Sequence, residues 1–555
     1  MLPLLTLLPA AAAAPTNCSG SEPRLGAVAS EIDLCSQIGT NILEEGGNAV
    51  DALVATTFCV GTMGMYHSGV GGGGFLTLRT PNGYYETVDF RETAPAASTE
   101  DMYKDNEPAS RMGGLASGVP GELRGLEYIH TKYGALPWED MLQPSIDLAR
   151  EGFEVNEDLV AYFGKTSNHE FLIEDPAWAL DFAPRGKLVE LGETITRKRY
   201  ANTLKDIAKY GADVFYNGPI ANATVRALQA AGGIMTLEDL ANYTIAVREP
   251  VSITYRGHKL TTITAPSSGA VALSALNILD GYEDFGLLEN KNISTQRLNE
   301  ALRFAYGQRA ELGDPSFVDG LPEFIEDMLS AETAEEIRGK ISDTETFGIE
   351  YYNPAGLESI ETPGTSHIVA ADAAGFAVSL TTTINLLFGS RLVVPETGVI
   401  MNNEMNDFSI PDTRNAFGYL PSPSNFVRPG KRPLSSITPV IVEAPGGDLY
   451  YVIGAAGGSR IITSTVQNII NVIDYGLNVE DALAKPRLHD QLSPPETSFE
   501  YPYDNSTVAF LRELGHNVTW VAPGQSAAQG LVRLGNGIFE AAGEPRQKNS
   551  AGIAV

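Results

Sequence analysis

The chain has 555 residues, of which 43% are hydrophobic and 19% are charged. That length and composition are ordinary for a globular protein with a large buried core. The formal net charge of −31 argues against nucleic acid or an anionic membrane surface as a partner. No linker rich in Pro, Gly or Ser and no internal repeat divides the sequence, which favours one continuous domain.

The N-terminal segment predicts entry into the secretory pathway. Residues 1–14 are mostly apolar and end in small residues, which is typical of a signal segment cleaved near Ala13 to Pro15. The run lacks the usual basic residues and is too short to anchor the chain across a bilayer. We expect a secreted protein, with vacuolar or cell-surface retention as alternatives. N-glycosylation sequons agree with this route and lie at Asn17, Asn222, Asn242, Asn292, Asn505 and Asn517.

The first predicted elements form a helical hairpin. Ala29–Glu45 and Asn48–Met63 have helical periodicity and flank the breaker Gly46-Gly47. An antiparallel pair of helices about that point places Cys35 opposite Cys59. In a secreted protein this geometry favours a disulfide, with two buried free thiols as the alternative. Three cysteines in all are too few for a disulfide framework or an all-cysteine metal site.

A glycine run, Gly69–Gly74, follows the hairpin, and the alternating stretch Leu76–Phe90 then predicts two strands around Pro81-Asn82-Gly83. The run follows a helix and lacks the Gly-Lys-Ser/Thr ending of a phosphate-binding loop. It therefore predicts close packing of backbone against backbone rather than nucleotide binding.

The middle of the chain, Glu122–Lys340, is predicted to be mostly helical, and Ile341–Gly364 is polar and lacks periodicity. The clearest helical segments are Leu123–Thr131, Trp138–Glu151, Asn202–Tyr210 and Leu298–Leu312. Later strands are expected at Leu392–Met401, Thr438–Glu443 and Leu449–Gly454, and later helices at Ile461–Asp474 and Val479–Ala484. Outer helices around antiparallel strands indicate a layered α+β domain.

The most informative segment is a second hairpin. Thr365–Ala371 and Phe376–Thr382 are rich in hydroxyl and β-branched residues and flank the turn Asp372–Gly375. Antiparallel pairing about that turn brings the threonines at 381–383 back beside Thr365. This cluster suits a nucleophile whose hydroxyl is held by a neighbour.

Two later segments offer binding groups. In 402–408, Glu404 and Asp407 stand three residues apart and suit an ammonium ligand, with a solvated acidic turn as the alternative. The glycine-rich segment 454–460 follows a strand and opens a helix, so its N–H groups suit an anion or an oxyanion. The paired serines 435 and 436, taken alone, indicate only a turn.

Together these segments resemble the γ-glutamyltranspeptidases, members of the N-terminal-nucleophile hydrolase superfamily. The resemblance covers nearly the whole chain after the signal segment, and the cysteine pair matches a disulfide of secreted relatives. Its motifs are Phe90–Pro95, Thr-Ser-His at 365–367, Thr-Ile-Asn-Leu at 383–386, Asn-Glu-Met-x-Asp-Phe at 403–408, Pro-Leu-Ser-Ser at 433–436 and Gly-Gly at 457–458.

The resemblance implies an α+β fold, a four-layer αββα sandwich, in one domain built from two chains after self-cleavage. The cut would fall between Gly364 and Thr365. Residues 1–14 would be the signal segment, 15–364 the large subunit and 365–555 the small subunit of a heterodimer.

The resemblance also implies a role for each matching residue. Thr365 would be the nucleophile, Thr383 its hydrogen-bond partner, and Gly457 and Gly458 the oxyanion-hole donors. The α-carboxylate of a γ-glutamyl group would be held by Arg91, Ser435 and Ser436, and its α-ammonium by Asn385, Glu404 and Asp407.

The freed α-amine of Thr365 would act as the base for its own hydroxyl, since its unperturbed pKa is about 7.7–8.0. His367 lies two residues along the strand and is the alternative base. The proline-rich segment between Phe408 and Ser435 would be a loop over the site, with Phe417, Tyr419 or Phe426 as its covering aromatic residue.

The implied activity is γ-glutamyl transfer from glutathione and its conjugates to water, amino acids or dipeptides. The alternatives are a related side-chain amide acylase, similar to cephalosporin acylases, and an inactive secreted scaffold. No cofactor or metal is expected, because the seven histidines show no metal-ligand spacing.

Overall fold

The computed structural model describes residues 24–166, 168–357, 364–412 and 420–555. The signal segment, Asn17, Cys18, Phe417 and Tyr419 lie outside these ranges. Within them, no helix is both long and apolar enough to cross a bilayer.

The helices are α1 (Asp33–Glu44), α2 (Ala49–Met63), α3 (Glu122–Tyr133), α4 (Trp138–Glu151), α5 (Glu157–Lys165), α6 (Phe171–Glu174), α7 (Pro176–Phe182), α8 (Lys198–Tyr210), α9 (Asp213–Tyr216), α10 (Pro219–Ala230), α11 (Leu237–Ala241), α12 (Gly269–Asp280), α13 (Lys291–Arg309), α14 (Leu321–Met328), α15 (Ala331–Lys340), α16 (Ile349–Tyr352), α17 (Arg460–Ile473), α18 (Val479–Ala484) and α19 (Asn505–Glu513). The strands are β1 (Gly26–Ser30), β2 (Gly73–Arg79), β3 (Tyr85–Asp89), β4 (Phe153–Glu154), β5 (Thr194–Ile195), β6 (Ala246–Arg248), β7 (Val251–Tyr255), β8 (His258–Thr262), β9 (Ser366–Asp372), β10 (Ala377–Thr383), β11 (Val440–Glu443), β12 (Leu449–Ala456), β13 (Leu488–His489), β14 (Thr497–Glu500), β15 (Val518–Val521), β16 (Ala527–Arg533), β17 (Phe539–Ala542) and β18 (Ala551–Ala554).

Two antiparallel sheets pack face to face. One has the order β18-β1-β9-β10-β2-β3-β6 and the other the order β17-β16-β12-β11-β8-β7. Apolar side chains such as Val369, Ile441 and Val452 fill the space between them. Helices α1 and α2 cover the outer face of the first sheet, and α12 and α17 cover that of the second. The αββα sandwich is therefore confirmed.

The β9–β10 hairpin has the predicted pairing, with Thr382 opposite Ser366. Asp372 fixes the turn, because its Oδ1 accepts from the N–H groups of Gly375 and Phe376. The glycine run packs against the far side of β10. A Cβ on Gly72 would lie 2.1 Å from the carbonyl oxygen of Thr383, so a larger residue there would displace that threonine.

The α1–α2 hairpin holds the predicted disulfide between Cys35 and Cys59, whose Cα atoms are 5.3 Å apart. Helix α1 starts later than predicted. The preceding residues 26–30 form β1 instead, because they pair with β9 on one side and β18 on the other.

Two other secondary-structure predictions are wrong. The expected strand Leu392–Met401 contains only a single bridge, between Val393 and Ile400, because the chain turns back at Gly398. The region predicted to be mostly helical also contains β6, which pairs with the distant β3. It contains the hairpin β7–β8 as well, of which β8 pairs with the distant β11.

Candidate active site

Thr365 immediately precedes β9 and is only 4% exposed. The residue before it must be glycine, because a Cβ on Gly364 would lie 1.9 Å from the carbonyl oxygen of Asn385. Gly364 has a φ of +135° and Thr365 a φ of +156°, both in a range that L-residues rarely adopt. Glycine adopts such an angle without strain, so the strained residue is Thr365, which follows the bond that self-cleavage would break.

Thr383 ends β10, one residue beyond the pair formed by Thr382 and Ser366, so the register sets it opposite Thr365. Its Oγ1 accepts from the backbone N–H of Asn385 at 2.7 Å. The Asn385 side chain in turn donates to the carbonyl oxygen of Asn403 at 3.0 Å, which ties this turn to the acidic segment. A hydrogen bond between the hydroxyls of Thr383 and Thr365 stays a prediction.

Gly457 and Gly458 connect β12 to α17, as the strand-to-helix pattern predicts. Gly457 and Thr365 line the same cavity. N–H groups at the start of a helix carry partial positive charge, so this position suits an oxyanion formed at Thr365.

Arg91 is buried between the two predicted carboxylates. Its Nη1 donates to Glu404 Oε1 and its Nη2 donates to Asp407 Oδ2 at 2.5 Å. The single 3₁₀ turn Glu404–Asp407 presents both carboxylates to the guanidinium. The acidic segment is therefore a buried ion-pair site and not a solvated turn.

One oxygen of each carboxylate is left over. Among the described residues, Glu404 Oε2 and Asp407 Oδ1 are buried and have no hydrogen-bond partner. A buried polar atom without a partner costs about 1–3 kcal/mol, and more when it is charged. These oxygens therefore fit a ligand that brings N–H donors and positive charge.

The predicted serines lie on the loop before β11. Ser436 Oγ accepts from Arg309 Nη2 at 3.0 Å, and Ser435 Oγ accepts from the N–H of Ile437 at 3.2 Å. Arg309, at the end of α13, also donates to Ser268 Oγ at 3.1 Å. Sequence reasoning missed this second buried guanidinium because it belongs to a helix far from any motif.

Sequence reasoning also missed Glu92, although it directly follows Arg91. Burial, together with repulsion from Glu404, raises the pKa of Glu92 well above its ordinary value. Burial likewise raises the pKa of Glu404 to about 8, although the Arg91 guanidinium acts to lower it. Both shifts act against two full negative charges side by side in this buried site.

A sequence profile of the family described as gamma-glutamyltranspeptidase matches residues 35–554. The chain belongs to the γ-glutamyltranspeptidase family. A glutathione hydrolase proenzyme of Arthroderma benhamiae is 56% identical, over 96% of this chain and 93% of the relative. A glutathione hydrolase of Aspergillus flavus is 52% identical, over 97% of this chain and 91% of the relative.

Solved structures share the fold of this γ-glutamyltranspeptidase family member. A cephalosporin acylase from Bacillus halodurans superposes with a TM-score of 0.83 at 26% identity, covering 99% of both chains. A γ-glutamyltranspeptidase from Helicobacter pylori gives a TM-score of 0.54 at 30% identity, covering 60% of this chain and 96% of the solved one. Both likenesses agree with the αββα sandwich.

His367 is badly placed to be the base of this γ-glutamyltranspeptidase family member. Its ring is fully buried between the two sheets, with Nδ1 2.9 Å from Thr381 Oγ1 and Nε2 3.4 Å from Ser379 Oγ. Burial lowers the pKa of His367 to about 3. An imidazole held in this way is a structural group, which disfavours the alternative base.

The segment after Phe408 supports the acidic turn in its described part. Asn425 donates to the carbonyl oxygen of Asp407 at 2.7 Å and accepts from the N–H of Leu434 at 2.9 Å. Phe426 is half-buried. The other two aromatic candidates, Phe417 and Tyr419, lie outside the described residues.

Proposed function

We propose that this protein is a γ-glutamyltransferase and glutathione hydrolase. The observation that carries the proposal is the buried Arg91, held between Glu404 and Asp407, each of which has one oxygen without a hydrogen-bond partner in the described part of the chain. An α-amino acid head group complements this arrangement, because its carboxylate matches the guanidinium fork and its ammonium matches the free oxygens.

The head-group site would select γ-linked over α-linked glutamyl groups. The α-carboxylate would reach Arg91 with the help of Ser435 and Ser436, and the α-ammonium would meet Glu404, Asp407 and Asn385. Both α-substituents are then occupied, so only the side-chain carbonyl is free to extend toward Thr365. An α-linked glutamyl amide has lost its carboxylate charge and gives up the pairing with Arg91.

The reaction would pass through an ester. The Thr365 hydroxyl attacks the γ-carbonyl and gives its proton to the α-amine of the same residue. The N–H groups of Gly457 and Gly458 stabilise the tetrahedral oxyanion. The amine on the other side of the amide leaves with that proton, and water or an acceptor amine then attacks the γ-glutamyl ester to free Thr365.

Self-cleavage would generate that α-amine. In the uncut chain the nitrogen of Thr365 is an amide and cannot accept a proton. Attack of its hydroxyl on the Gly364 carbonyl gives an ester that water hydrolyses, leaving subunits 15–364 and 365–555. The strained φ angle of Thr365 supports this step, as does the description of the Arthroderma benhamiae relative as a proenzyme.

An acylase is the second candidate, because the cephalosporin acylase superposes closely. An acylase of non-amino-acid side chains has no use for an ammonium site, and Glu404 and Asp407 are both in place here. An inactive scaffold is less consistent still with an intact Thr365, Thr383 and Gly457-Gly458.

A secretory location completes the proposal and rests on the signal segment and the disulfide. Of the described sequons, Asn222, Asn242, Asn505 and Asn517 are exposed and accessible to glycans. Asn292 is half-buried, and its Oδ1 accepts from Thr507 Oγ1 at 2.8 Å.

The decisive experiment compares release of aniline from γ-glutamyl and α-glutamyl anilides. We expect release from the γ-linked compound only, by a protein that runs as two bands on a denaturing gel. Thr365→Ala should stay uncut and release nothing, whereas the exposed control Thr344→Ala should match the wild type. Equal release from both anilides, or turnover by Thr365→Ala, would contradict the proposal.

A further inference from the structure

A cavity of about 350 Å³ opens beside Thr365. It is separate from the head-group site, which is formed by Arg91, Glu404 and Asp407. Its lining includes Thr365, Gly457 and Leu387, but none of the described residues that surround the Arg91 guanidinium. The volume is at the lower end of the roughly 300–1,000 Å³ that small-molecule sites occupy. The space therefore suits a ligand of dipeptide size.

If the proposed function holds, this cavity receives the part of the substrate that lies beyond the γ-carbonyl. With the glutamyl head group at Arg91 and its γ-carbonyl at Thr365, the departing amine must lie beyond the carbonyl. The acceptor must later attack the same carbon from that open space. The cavity is thus the place for the leaving group and for the acceptor that replaces it.

Most charged groups of the cavity wall already have ion-pair or hydrogen-bond partners. Arg546 pairs with Glu544 at 2.8 Å and with Glu500 at 2.6 Å. Asp158 accepts from the N–H groups of Lys548 and Asn549. These groups build the wall and have little capacity left for a ligand.

The imidazole of the wall is also engaged. His67 Nδ1 lies 3.1 Å from Glu31 Oε2, and Gln547 donates to that same carboxylate oxygen. A free carboxylate on a ligand would gain little from a histidine already bound in this way.

Lys165 differs from the other charged groups of the wall. It ends α5, and its ammonium lies 4.8 Å from the centre of the Tyr162 ring. The described part of the chain contains no ion pair of Lys165, although its charge acts at longer range on Asp158. The cation is available at the rim of the cavity.

We propose that Lys165 binds the carboxylate of the leaving peptide and of the incoming amino acid or dipeptide acceptor. The carboxyl end of cysteinylglycine or of a dipeptide acceptor then points to Lys165, while its amine faces Thr365. The Tyr162 ring supports the lysine stem and limits the positions of the ammonium. Acceptors with a free carboxylate are therefore preferred over their amides.

The test compares two acceptors in the same enzyme, glycylglycine and its C-terminal amide, with γ-glutamyl anilide as donor. We expect a lower KM for glycylglycine in the wild type, by roughly three- to fivefold, which is the size of an exposed ion pair. Lys165→Met should make the two KM values equal, and Lys165→Glu should reverse their order.

Lys209→Met is the matched control, since Lys209 is also an exposed lysine against a tyrosine ring, 4.7 Å from that of Tyr210, but outside the cavity. It should keep the wild-type ratio. If the enzyme still releases aniline, the inference would be overturned by equal KM values for the two acceptors in the wild type. An unchanged ratio of these KM values in both Lys165 variants would overturn it as well. Loss of anilide release from the wild type would instead overturn the proposed function.

Discussion

At the scale of single residues, the head-group site requires charged side chains to be buried at a cost in free energy. Arg91 and Glu404 are each about 1% exposed, and moving charged groups out of water costs several kcal/mol per ion. Burial alone lowers the pKa of Arg91, but Glu404, Asp407 and Glu92 outweigh that effect and raise it. The guanidinium is therefore always charged and ready for a carboxylate ligand.

Asp407→Asn tests this charge balance. The amide keeps the shape of the side chain, but it leaves Arg91 with one anion fewer and removes a counter-charge for the ligand ammonium. Truncating a buried charge pair costs about 2–5 kcal/mol, so we expect KM for γ-glutamyl anilide to rise by roughly 30-fold or more. Steady-state kinetics of the purified variant measure this.

Asp412→Asn is the control, because that side chain is 75% exposed and its ion pair among the described residues is with Lys104 at the surface. Its KM should match the wild type. An Asp407→Asn enzyme with wild-type KM would show that the ammonium binds elsewhere.

At the scale of elements, α3 is joined to the nucleophile hairpin by its first residue. Glu122 accepts from Thr382 Oγ1 of β10, and Ser68 Oγ lies 2.9 Å from that same hydroxyl. Burial raises the pKa of Glu122 to about 8, although the Thr382 hydrogen bond acts to lower it. The carboxyl group is thus largely protonated at neutral pH, next to the strand that carries Thr383.

This raised pKa makes stability depend on pH. Between the unfolded pKa of about 4.3 and the folded value, the folded state holds a proton that the unfolded state has lost, so stability falls as pH rises. Glu122→Gln keeps a neutral side chain at every pH. We expect the free energy of unfolding of this variant to fall less between pH 5 and 8, by on the order of a few kcal/mol.

Urea unfolding of the uncut Thr365→Ala chain at both pH values measures the effect. Glu139→Gln, an exposed first-turn position of α4, should leave the pH dependence unchanged. A wild-type slope in Glu122→Gln would assign the pH dependence to other groups.

The sequence predicted those elements whose signals are local. The β9–β10 hairpin follows from alternating hydroxyl and β-branched residues around Asp372, and α2 from Asn48 and its periodicity. Strands β6 and β8 were missed because each pairs with a strand distant in sequence, and β7 was missed although it forms a hairpin with β8. Glu92, Arg309 and Lys165 were missed for a similar reason, since burial and the shape of a cavity leave no mark on neighbouring residues.

At the scale of the whole molecule, both proposed subunits contribute to each sheet. In the first sheet β1, β2, β3 and β6 come from residues before 365, whereas β9, β10 and β18 come from those after it. In the second sheet β7 and β8 join β11, β12, β16 and β17 in the same way. Non-covalent contacts within the shared sheets, rather than a continuous covalent chain, would hold the cleaved protein together.

The cut protein should therefore remain one particle. We expect a single native species of about the full-length mass by gel filtration with light scattering, and two bands from the same fraction on a denaturing gel. Mild salt should not separate them, because the shared surface is a hydrophobic sheet interior. Two native species of different mass would contradict the shared sheets.

The pairing of Ala27 in β1 with Ala371 in β9 has a further consequence for the lifetime of the protein. In the uncut chain the two strands belong to one molecule, and their meeting costs only the entropy of loop closure. After cleavage the same pairing needs the encounter of two separate chains, which dilution makes rare. The mature protein would then persist through slow unfolding rather than through reversible equilibrium, and each unfolding event would be final.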